Sequence, residues 1–324
     1  KTLLANYTHL IGSGITPAML NRIDKSLTIF YPYAVGVEYY GDFIIKSVVK
    51  RSGLLAKYIF KKIINEQKKG IKNTINVINP ERTITELNLE NLGIKTKSFF
   101  LPIYNENLKS RPLFEKKFNF INQKLKKSSF VLISHARLFW KKPLDYSHRE
   151  WNDVNKNNDR LIRAFAKLKR SRPKLRSLLV LFEYGPDVKS TKILIEKLGI
   201  NKDVIWLPKM ERKFIYYFIS QADVGAGEFY DVKELMWGFT AIEIMKMGKP
   251  VIQPFDLTKN KFLKTFGTTL PPVIAAKTEN QIFNRLKILS YSKKKRNHLG
   301  KLSKKWFDKN LGINCAKKWS HLLK

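Results

Sequence analysis

Apolar and polar positions in the second half of the chain alternate between short strand-like runs and helical patterns. The run Phe130–Ile133 is continuously apolar, which is typical of a strand buried on both faces of a parallel sheet. In Asn157–Arg170, apolar residues recur at helical spacing, and Asp159 is a candidate N-cap. Strands separated by single helices predict a doubly wound parallel sheet.

The same alternation predicts the remaining elements of this half. The further predicted strands are Ser177–Gly185, Asp203–Pro208, Asp223–Phe229 and Pro250–Phe255, and the further helices are Val188–Ile200, Arg212–Ala222, Gly238–Gly248 and a basic helical region over Glu279–Lys324. Gly199 and Gly248 are expected to end two of these helices, because glycine adopts the left-handed conformation that closes a helix.

The first third of the chain shows a similar but less complete α/β pattern. It predicts strands at Ser26–Tyr33, Thr74–Asn79 and Lys95–Asn105, and a helix over about Phe43–Glu66. The segment Glu106–Lys127 is polar and lysine-rich, so we expect the boundary between two domains there. Because the chain begins with Lys1 rather than Met, we also expect the N-terminal domain to be incomplete.

Charge is the unusual feature of the composition. The 324 residues include 62 Lys and Arg against 26 Asp and Glu, which gives a formal net charge of +36. Codon bias in an AT-rich genome is one explanation, and a phosphate-bearing partner is the other. In either case such a surface attracts phosphates on lipids, nucleotides or nucleic acid. No recognised RNA- or DNA-binding motif accompanies the charge, so we expect no nucleic-acid partner.

Two further counts exclude other classes of protein. The single cysteine, Cys315, excludes a disulfide framework and a cysteine-based zinc site, and it fits a reducing cytoplasm. No apolar run reaches the ~18 residues that a membrane span requires. We therefore expect a cytoplasmic protein without a signal peptide.

The segment Trp237–Ile252, WGFTAIEIMKMGKPVI, carries the most informative chemistry. It predicts a loop that ends at Gly238 and leads into a helix. Unpaired backbone N–H groups at a helix N-terminus favour a bound phosphate, and a glycine there lets the phosphate approach closely. Glu243 follows one to two turns into the helix, where its carboxylate can accept hydrogen bonds from two adjacent sugar hydroxyls.

This segment resembles the retaining family 4 glycosyltransferases of the GT-B architecture, whose C-terminal domain carries GFG-x-x-x-x-E-A-M-A-x-G-x-P-V-I. Upstream, KNNDRLIRAFAKL resembles the family's KGxDxLIxAFAxL, with Asn157 in place of the glycine. SHARLFW resembles its GRL turn, and VIWLPKM followed by YYFISQADV resembles its later strand and helix–strand unit. The resemblance covers about residues 130–324, whereas the first ~100 residues match loosely.

The resemblance implies an α/β GT-B fold of two Rossmann-like domains that face a cleft. Its implied parts are an acceptor-binding domain (1–125), a nucleotide-sugar-binding domain (126–305) and a final helix (306–324) that returns to the first domain. It also implies transfer of a sugar from a nucleotide-diphosphate sugar to an acceptor hydroxyl in glycan or glycolipid synthesis, with retention at the anomeric carbon. We expect neither a metal nor a cofactor, because cations can stabilise the departing diphosphate.

The resemblance also implies roles for individual residues. Arg137 and Lys156 would contact the donor diphosphate, and His9 would lie near the donor sugar or acceptor. The backbone of Gly238, Phe239 and Thr240 would hold the phosphate or sugar, and Glu243 would bind the ribose. Each also has a plainer interpretation, as a surface charge or a loop residue. His135 is equally well a neighbour of the phosphate or an ordinary strand-end residue.

Two departures from the family pattern matter. The first Glu of the family's Glu-x7-Glu motif is replaced by Leu235, so the carboxylate that reads the donor sugar stays unassigned. Glu234, Glu228 and Asp231 are the nearby candidates. Arg137 and Lys156 are also farther apart than usual, and Lys142 lies at the usual spacing. These departures leave a catalytically silent GT-B scaffold open as an alternative, alongside a basic nucleic-acid-binding protein.

Two regions suggest further contacts. The segment Lys46–Lys72 mixes apolar residues with many lysines, which fits a helix that docks on an anionic membrane or one that packs on its own domain. Peripheral attachment to the inner face of the cytoplasmic membrane is therefore a candidate location. Glu38 is a candidate acceptor contact.

Overall fold

The computed structural model describes residues 4–32, 53–79, 89–98, 100, 116–142, 155–231 and 238–324. The chain forms two compact units. The first contains Lys1–Ile103, Asn260–Thr268 and Ile313–Lys324, and the second contains Tyr104–Lys259 and Thr269–Gly312. The sequence-based domain limits at residues 125 and 305 separate an acceptor-binding domain, a donor-binding domain and a final helix. These functional assignments stay predictions.

The described elements alternate between strands and helices. The strands are β1 (Ile11–Gly12), β2 (Ile29–Phe30), β3 (Asn76–Asn79), β4 (Thr96–Ser98), β5 (Phe130–Ser134), β6 (Ser177–Phe182), β7 (Val204–Leu207), β8 (Val224–Ala226), β9 (Val251–Gln253) and β10 (Ile274–Ala275). The α-helices are α1 (Thr16–Asn21), α2 (Leu54–Lys72), α3 (Asn119–Lys126), α4 (Asn158–Ser171), α5 (Val188–Lys197), α6 (Arg212–Gln221), α7 (Phe239–Lys246), α8 (Lys259–Phe266), α9 (Glu279–Tyr291), α10 (Lys293–Asn310) and α11 (Ile313–Ser320).

The first unit contains a parallel sheet with strand order β1-β2-β3-β4. Successive side chains of a strand point to opposite faces, so the neighbours Ile29 and Phe30 enter two different cores. Phe30 packs with residues such as Leu20 and Ile71, whereas Ile29 packs with Ile78 and C-terminal residues. Both faces of the sheet are therefore buried at the inner strand β2, as expected for a parallel sheet.

Cys315 lies in the core that α11 contributes to the first unit. Its thiol is buried and donates a hydrogen bond to the carbonyl oxygen of Phe100 at 3.1 Å, and the indole of Trp319 donates to the same oxygen at 2.7 Å. Burial raises the pKa of the Cys315 thiol to about 12. The thiol is therefore protonated at neutral pH and serves as a small core residue.

The second unit contains a parallel sheet with strand order β10-β9-β8-β5-β6-β7. All residues of β5 and β6 are buried, in agreement with the continuous apolar run at 130–133. The core between sheet and helices includes Phe130, Phe165 and Leu286. The predicted α/β fold class with two parallel sheets is confirmed, and the strand order of the second sheet is doubly wound.

Several element limits differ from their predictions. Helix α2 ends at Lys72 rather than Glu66, and the predicted start at Phe43 lies outside the described residues. Helices α1, α3 and α8 and strands β1 and β10 are not predicted from the sequence. The prediction that Asp159 is an N-cap is wrong, because the helix begins at Asn158 and the capping position is Asn157. None of the helices in the described part of the chain has the length and apolar character needed to span a bilayer.

Candidate functional site

The strand order of the second unit defines a place where ligands bind in such sheets. The chain runs from β5 outward to β7, then returns to the other side of β5 and continues through β8 to β10. The order therefore reverses between β5 and β8, which are direct neighbours. In open α/β sheets the crevice beyond the carboxyl ends of the strands at such a reversal is the usual ligand site. His135 follows β5 there, and Glu228 follows β8.

A buried carboxylate stands at the centre of one group of side chains at this position. Glu243, on α7, has a side chain that is only 8% exposed. Its Oε2 lies 2.7 Å from Nε2 of His135, and its Oε1 lies 3.0 Å from Nε of Arg212. The hydroxyl of Tyr216 donates to Oε1 over a longer distance, 3.4 Å. A buried carboxylate requires such partners, because an unpaired charge away from water is costly.

The contact with Glu243 indicates which ring nitrogen of His135 carries a hydrogen. A carboxylate only accepts hydrogen bonds, so Nε2 of His135 carries the hydrogen that it donates to Glu243. The ring also packs edge-on against Phe182 at the end of β6. Its Nδ1 is buried and has no hydrogen-bond partner among the described residues. Unpartnered buried polar atoms are rare in folded proteins and often mark the place of a ligand or water.

A second group forms around Lys156 and Glu228. The ammonium of Lys156 lies 3.0 Å from Oε1 of Glu228 and 4.0 Å from the centre of the Tyr230 ring. Gly238 is the capping residue of α7, and a Cβ at that position would lie 2.2 Å from Oε2 of Glu228. The carboxylate thus lies against the start of a helix, where the helix dipole favours negative charge. The ammonium of Lys156 and the N-terminus of α7 therefore both lie beside the carboxylate of Glu228.

The backbone holds Lys156 in place from two sides. Its N–H donates to the carbonyl oxygen of Phe139 at 2.8 Å, and its own carbonyl oxygen accepts from the N–H of Phe229 at 3.1 Å. The next residue, Asn157, has a φ of 44°. Asparagine is among the few residues other than glycine that tolerate this left-handed conformation. This conformation explains why asparagine stands where the family pattern has glycine.

An ion-pair network borders the Lys156 group. Asp231 accepts hydrogen bonds from both terminal nitrogens of Arg160, at 2.9 and 2.8 Å, and from Nδ2 of Asn157 at 3.2 Å. Partial burial acts to raise the pKa of Asp231, but the hydrogen bonds and charge of Arg160 outweigh it, so the pKa lies below its usual value. The carboxylate of Asp231 is therefore held by hydrogen bonds from Arg160 and Asn157.

The structure brings some of the predicted site residues together. It pairs His135 with Glu243, and it pairs Lys156 with Glu228 beside Gly238. Thr240 is buried in the first turn of α7, next to the partly buried Phe239. All these residues lie in the second unit.

Other predicted residues are placed apart from these pairs. Arg137 is exposed, and its guanidinium lies 5.3 Å from the centre of the Phe139 ring. Among the described residues it contacts neither Lys156 nor Glu243. His9 is exposed just before β1 in the first unit, and Lys142 is exposed in the second. Glu38, Glu234 and Leu235 lie outside the described residues.

Arg212 and Tyr216 are residues of the site that the sequence does not predict. They lie four positions apart on α6, which places them on one face of the helix. Helical periodicity gives Tyr216 as a core residue and Arg212 as a surface charge. Only the approach of α6 to α7 shows that both reach Glu243.

The structure is similar to solved structures of glycosyltransferases. The crystal structure of HepE from Anabaena in complex with UDP matches 99% of this chain and 80% of its own chain, with a TM-score of 0.65 and 13% identity. The structure of WaaG, a glycosyltransferase involved in lipopolysaccharide biosynthesis, matches 100% and 80%, with a TM-score of 0.60 and 14% identity. At these identities the likeness establishes the fold, which is that of the GT-B glycosyltransferases.

The sequence of the second unit matches a known family. Residues 115–254 match the family described as "Glycosyl transferases group 1". The resemblance noted in the sequence is therefore confirmed at the level of this family. No curated protein matches the chain.

Proposed function

We propose that this protein transfers a sugar from a nucleoside-diphosphate sugar to an acceptor hydroxyl. The observation that carries the proposal is helix α7 at the strand-order reversal. Its N-terminus faces the cation Lys156, and its second turn carries the buried carboxylate Glu243. A diphosphate and a ribose are adjacent in every nucleoside-diphosphate sugar, so one helix can bind both. The described structure of HepE in complex with UDP is consistent with this assignment.

The individual roles follow from the chemistry of the side chains. Lys156 and the backbone at Gly238 and Phe239 bind the diphosphate, and Arg137 adds a second cation from the loop after β5. Glu243 accepts hydrogen bonds from the ribose hydroxyls. Glu228 now lies where the diphosphate would meet the helix N-terminus, so donor binding requires this carboxylate to rotate away. The role of His9 near the acceptor stays part of the proposal.

The transfer itself breaks the bond between the anomeric carbon and the donor phosphate oxygen. A new bond then forms from the acceptor oxygen to the same face of that carbon, so that configuration is retained. The leaving diphosphate gains negative charge and takes up the acceptor proton. Lys156, Arg137 and the helix N-terminus stabilise this charge in the transition state. On this basis the reaction needs neither a resident metal nor a cofactor.

No group of three or more potential metal-ligating side chains occurs in the described part of the chain. Metal independence itself stays a prediction, and transfer in the presence of a chelator tests it directly. Retention is tested by determining the anomeric configuration of the product.

Donor binding tests the proposal at its first step. We expect one of UDP-, GDP- or ADP-sugars to raise the melting temperature of the protein, because a ligand that binds only the folded state stabilises it. Arg137→Ala and Glu243→Ala are each expected to weaken that binding about tenfold or more, since each removes a charged hydrogen-bonding group. Titration calorimetry gives the affinities.

The matched control is Arg170→Ala, which removes an exposed arginine at the far end of α4. Its donor affinity is expected to equal that of the wild type. Unchanged affinity in both Arg137→Ala and Glu243→Ala would refute the site assignment. Donor binding without any transfer would favour a catalytically silent GT-B scaffold, the alternative that Leu235 raises. Salt-sensitive binding to DNA without donor binding would favour the nucleic-acid alternative.

The acceptor belongs to a cell-surface glycan or glycolipid in this proposal, with the protein on the inner face of the cytoplasmic membrane. The supporting observation is helix α2, whose first turns expose the apolar side chains of Leu54, Leu55, Tyr58 and Ile59. Lys57, Lys61 and Lys62 are exposed on the same stretch. Apolar side chains flanked by lysines fit the interface of an anionic bilayer.

Vesicle sedimentation tests this surface. We expect the protein to bind phosphatidylcholine vesicles that contain phosphatidylglycerol and to bind pure phosphatidylcholine weakly. The double substitution Leu55→Ser and Ile59→Ser should weaken binding about tenfold or more, because burying each such side chain contributes ~1.5 kcal/mol. Ile193→Ser, on the exposed face of α5, is the control and should bind as the wild type does. Equal loss in both variants, or no preference for anionic vesicles, contradicts membrane docking.

A further inference from the structure

Both oxygens of the Glu243 carboxylate are already engaged by side chains of the protein. His135 approaches Oε2 at 2.7 Å, and Arg212 approaches Oε1 at 3.0 Å. Each carboxylate oxygen has two acceptor positions, so Oε2 can still accept a hydrogen bond from a ligand hydroxyl, whereas the second position of Oε1 carries the longer 3.4 Å contact from the hydroxyl of Tyr216. The two partners therefore leave acceptor capacity free while they determine the direction in which it points.

The two partners hold the carboxylate in different ways. The side chain of His135 is 6% exposed and packs against Phe182, so its ring has little freedom to rotate. The side chain of Arg212 is 53% exposed and begins helix α6. An ion pair with an exposed partner contributes little to stability, whereas a hydrogen bond between buried groups contributes more. We therefore expect His135 to be the stronger determinant of the carboxylate position.

Tyr216 also lies near the carboxylate of Glu243, and Lys246 lies against Tyr216. Tyr216 is fully buried below Arg212 on the same helix face, and its hydroxyl also donates to Oε1. The ammonium of Lys246 lies 4.0 Å from the centre of the Tyr216 ring. The carboxylate of Glu243 on α7 is thus contacted by donors from the residue that follows β5 and from α6.

We propose that His135 and Arg212 are positioning residues for recognition of the nucleotide ribose, and that they act by orienting the carboxylate of Glu243. This inference rests on the proposed function, because it assumes that Glu243 binds the ribose hydroxyls. The inference gives His135 and Arg212 a role in ribose recognition, and Arg212 lies outside the motifs that carry the sequence resemblance. Both residues act through Glu243, so their effect depends on the presence of the ribose hydroxyls in the ligand.

Removing the ligand's hydroxyls provides the test. Titration calorimetry compares UDP with 2′,3′-dideoxy-UDP, and GDP and ADP with their dideoxy forms, on the full chain. Each protein variant yields the ratio of the ribose affinity to the dideoxy affinity. This ratio is measured on one preparation with two ligands, so a variant that is partly unfolded still gives a valid ratio.

We expect the wild type to bind the ribose form of its nucleotide about tenfold or more tightly than the dideoxy form, since two hydrogen bonds to a charged group are lost. In His135→Ala the ribose affinity should fall about tenfold while the dideoxy affinity stays within about twofold, so the ratio approaches one. Arg212→Ala should lower the ratio about threefold, because its ion pair is half exposed.

His135→Gln tests whether the donated hydrogen bond carries the effect. The amide nitrogen of glutamine can take the place of Nε2 and donate to Glu243, so the ratio should return to within about threefold of the wild type. Lys213→Ala is the matched control for Arg212. It removes the next cation of α6, which pairs with Glu211 and not with Glu243, and should leave the ratio unchanged.

The outcomes separate this inference from the proposed function. A wild-type ratio well above one that persists in His135→Ala and Arg212→Ala overturns the inference and leaves the proposed function standing. Equal losses with ribose and dideoxy ligands also overturn it, because they show a contact to the phosphates or a general structural effect. A wild type that binds none of the three nucleotides overturns the proposed function, and with it this inference.

Discussion

Lys156→Ala is expected to lower the turnover number for sugar transfer about 100-fold, which corresponds to ~2.7 kcal/mol of lost transition-state stabilisation. The physical reason is the charge that develops on the departing diphosphate. Lys156 provides a cation that the backbone holds beside the N-terminus of α7. A preorganised cation of this kind stabilises the leaving group without reorganising at the moment of reaction.

The measurement is steady-state transfer with the donor identified by the binding screen. Lys142→Ala is the matched control, because Lys142 lies at the family's usual spacing but is exposed to solvent. It should retain activity within about twofold, as expected for an exposed charge. If Lys142→Ala loses much of its transfer activity and Lys156→Ala loses little, then Lys142 rather than Lys156 is the cation that stabilises the diphosphate.

A companion variant separates the loss of the cation from disturbance of its partner. Lys156→Ala leaves the carboxylate of Glu228, 13% exposed, without its ammonium partner. The double variant Lys156→Ala with Glu228→Gln removes that unpaired charge. If the activity of the double variant stays as low as that of the single variant, the lost cation is the cause. Recovery to near wild-type activity would show that Glu228 had blocked the anion position instead.

Gly300→Ala is expected to destabilise the second unit by about 2 kcal/mol, although alanine favours helices more than glycine does. Gly300 lies within α10, where this helix crosses the turn after α7. A Cβ at that position would lie 2.2 Å from the carbonyl oxygen of Gly248 and 3.1 Å from its carbon. These are backbone atoms, so no side chain can rotate away, and the helix itself must shift.

Gly248 also cannot relieve the contact easily. It adopts a φ of 67°, a left-handed conformation that ends the turn after α7 and leads into Pro250 and β9. Overpacking of about 3 kcal/mol therefore exceeds the ~1 kcal/mol that alanine contributes to helix propensity. A shift at this point also moves the helix that carries Glu243.

Thermal denaturation checks this expectation. For a unit of this size, about 2 kcal/mol lowers the melting temperature by ~4–8 °C. Gly312→Ala is the control, because a Cβ there would meet its nearest neighbour, the carbonyl oxygen of Asp308, at the ordinary distance of 3.4 Å. Its stability should stay within about 0.5 kcal/mol of the wild type. A stabilised Gly300→Ala variant would show that α10 does not pack as described.

Much of the second unit could be predicted from the sequence. The continuous apolar run at Phe130–Ile133 indicated a strand buried on both faces, and β5 is such a strand. Helical spacing located α4 and α6 to within one or two residues. The choice of N-cap failed because Asp159 looked like a capping residue, whereas the left-handed Asn157 occupies the capping position before Asn158. Side-chain preference is a weaker guide than the backbone conformation imposed by neighbouring elements.

The first unit was less predictable because its strands are short. Strands β1 and β2 have two residues each, too few for an alternating pattern to stand out from its surroundings. The predicted end of the helix at Glu66 also failed, because Gln67 and Ile71 continue the buried face of α2. Contacts with α1 stabilise those last turns, and a single sequence does not reveal them.

The sequence by itself determined the α/β class and the buried strands of the second sheet. It also indicated Lys156, Glu228 and Glu243 as candidate site residues. Only the tertiary structure decided how these residues pair. His135 and Glu243 are 108 positions apart along the chain, yet their side chains are 2.7 Å apart. Local patterns record the conformation of neighbouring residues. The pairing of distant side chains depends on the order of strands in the sheet and on the packing of α6 and α7.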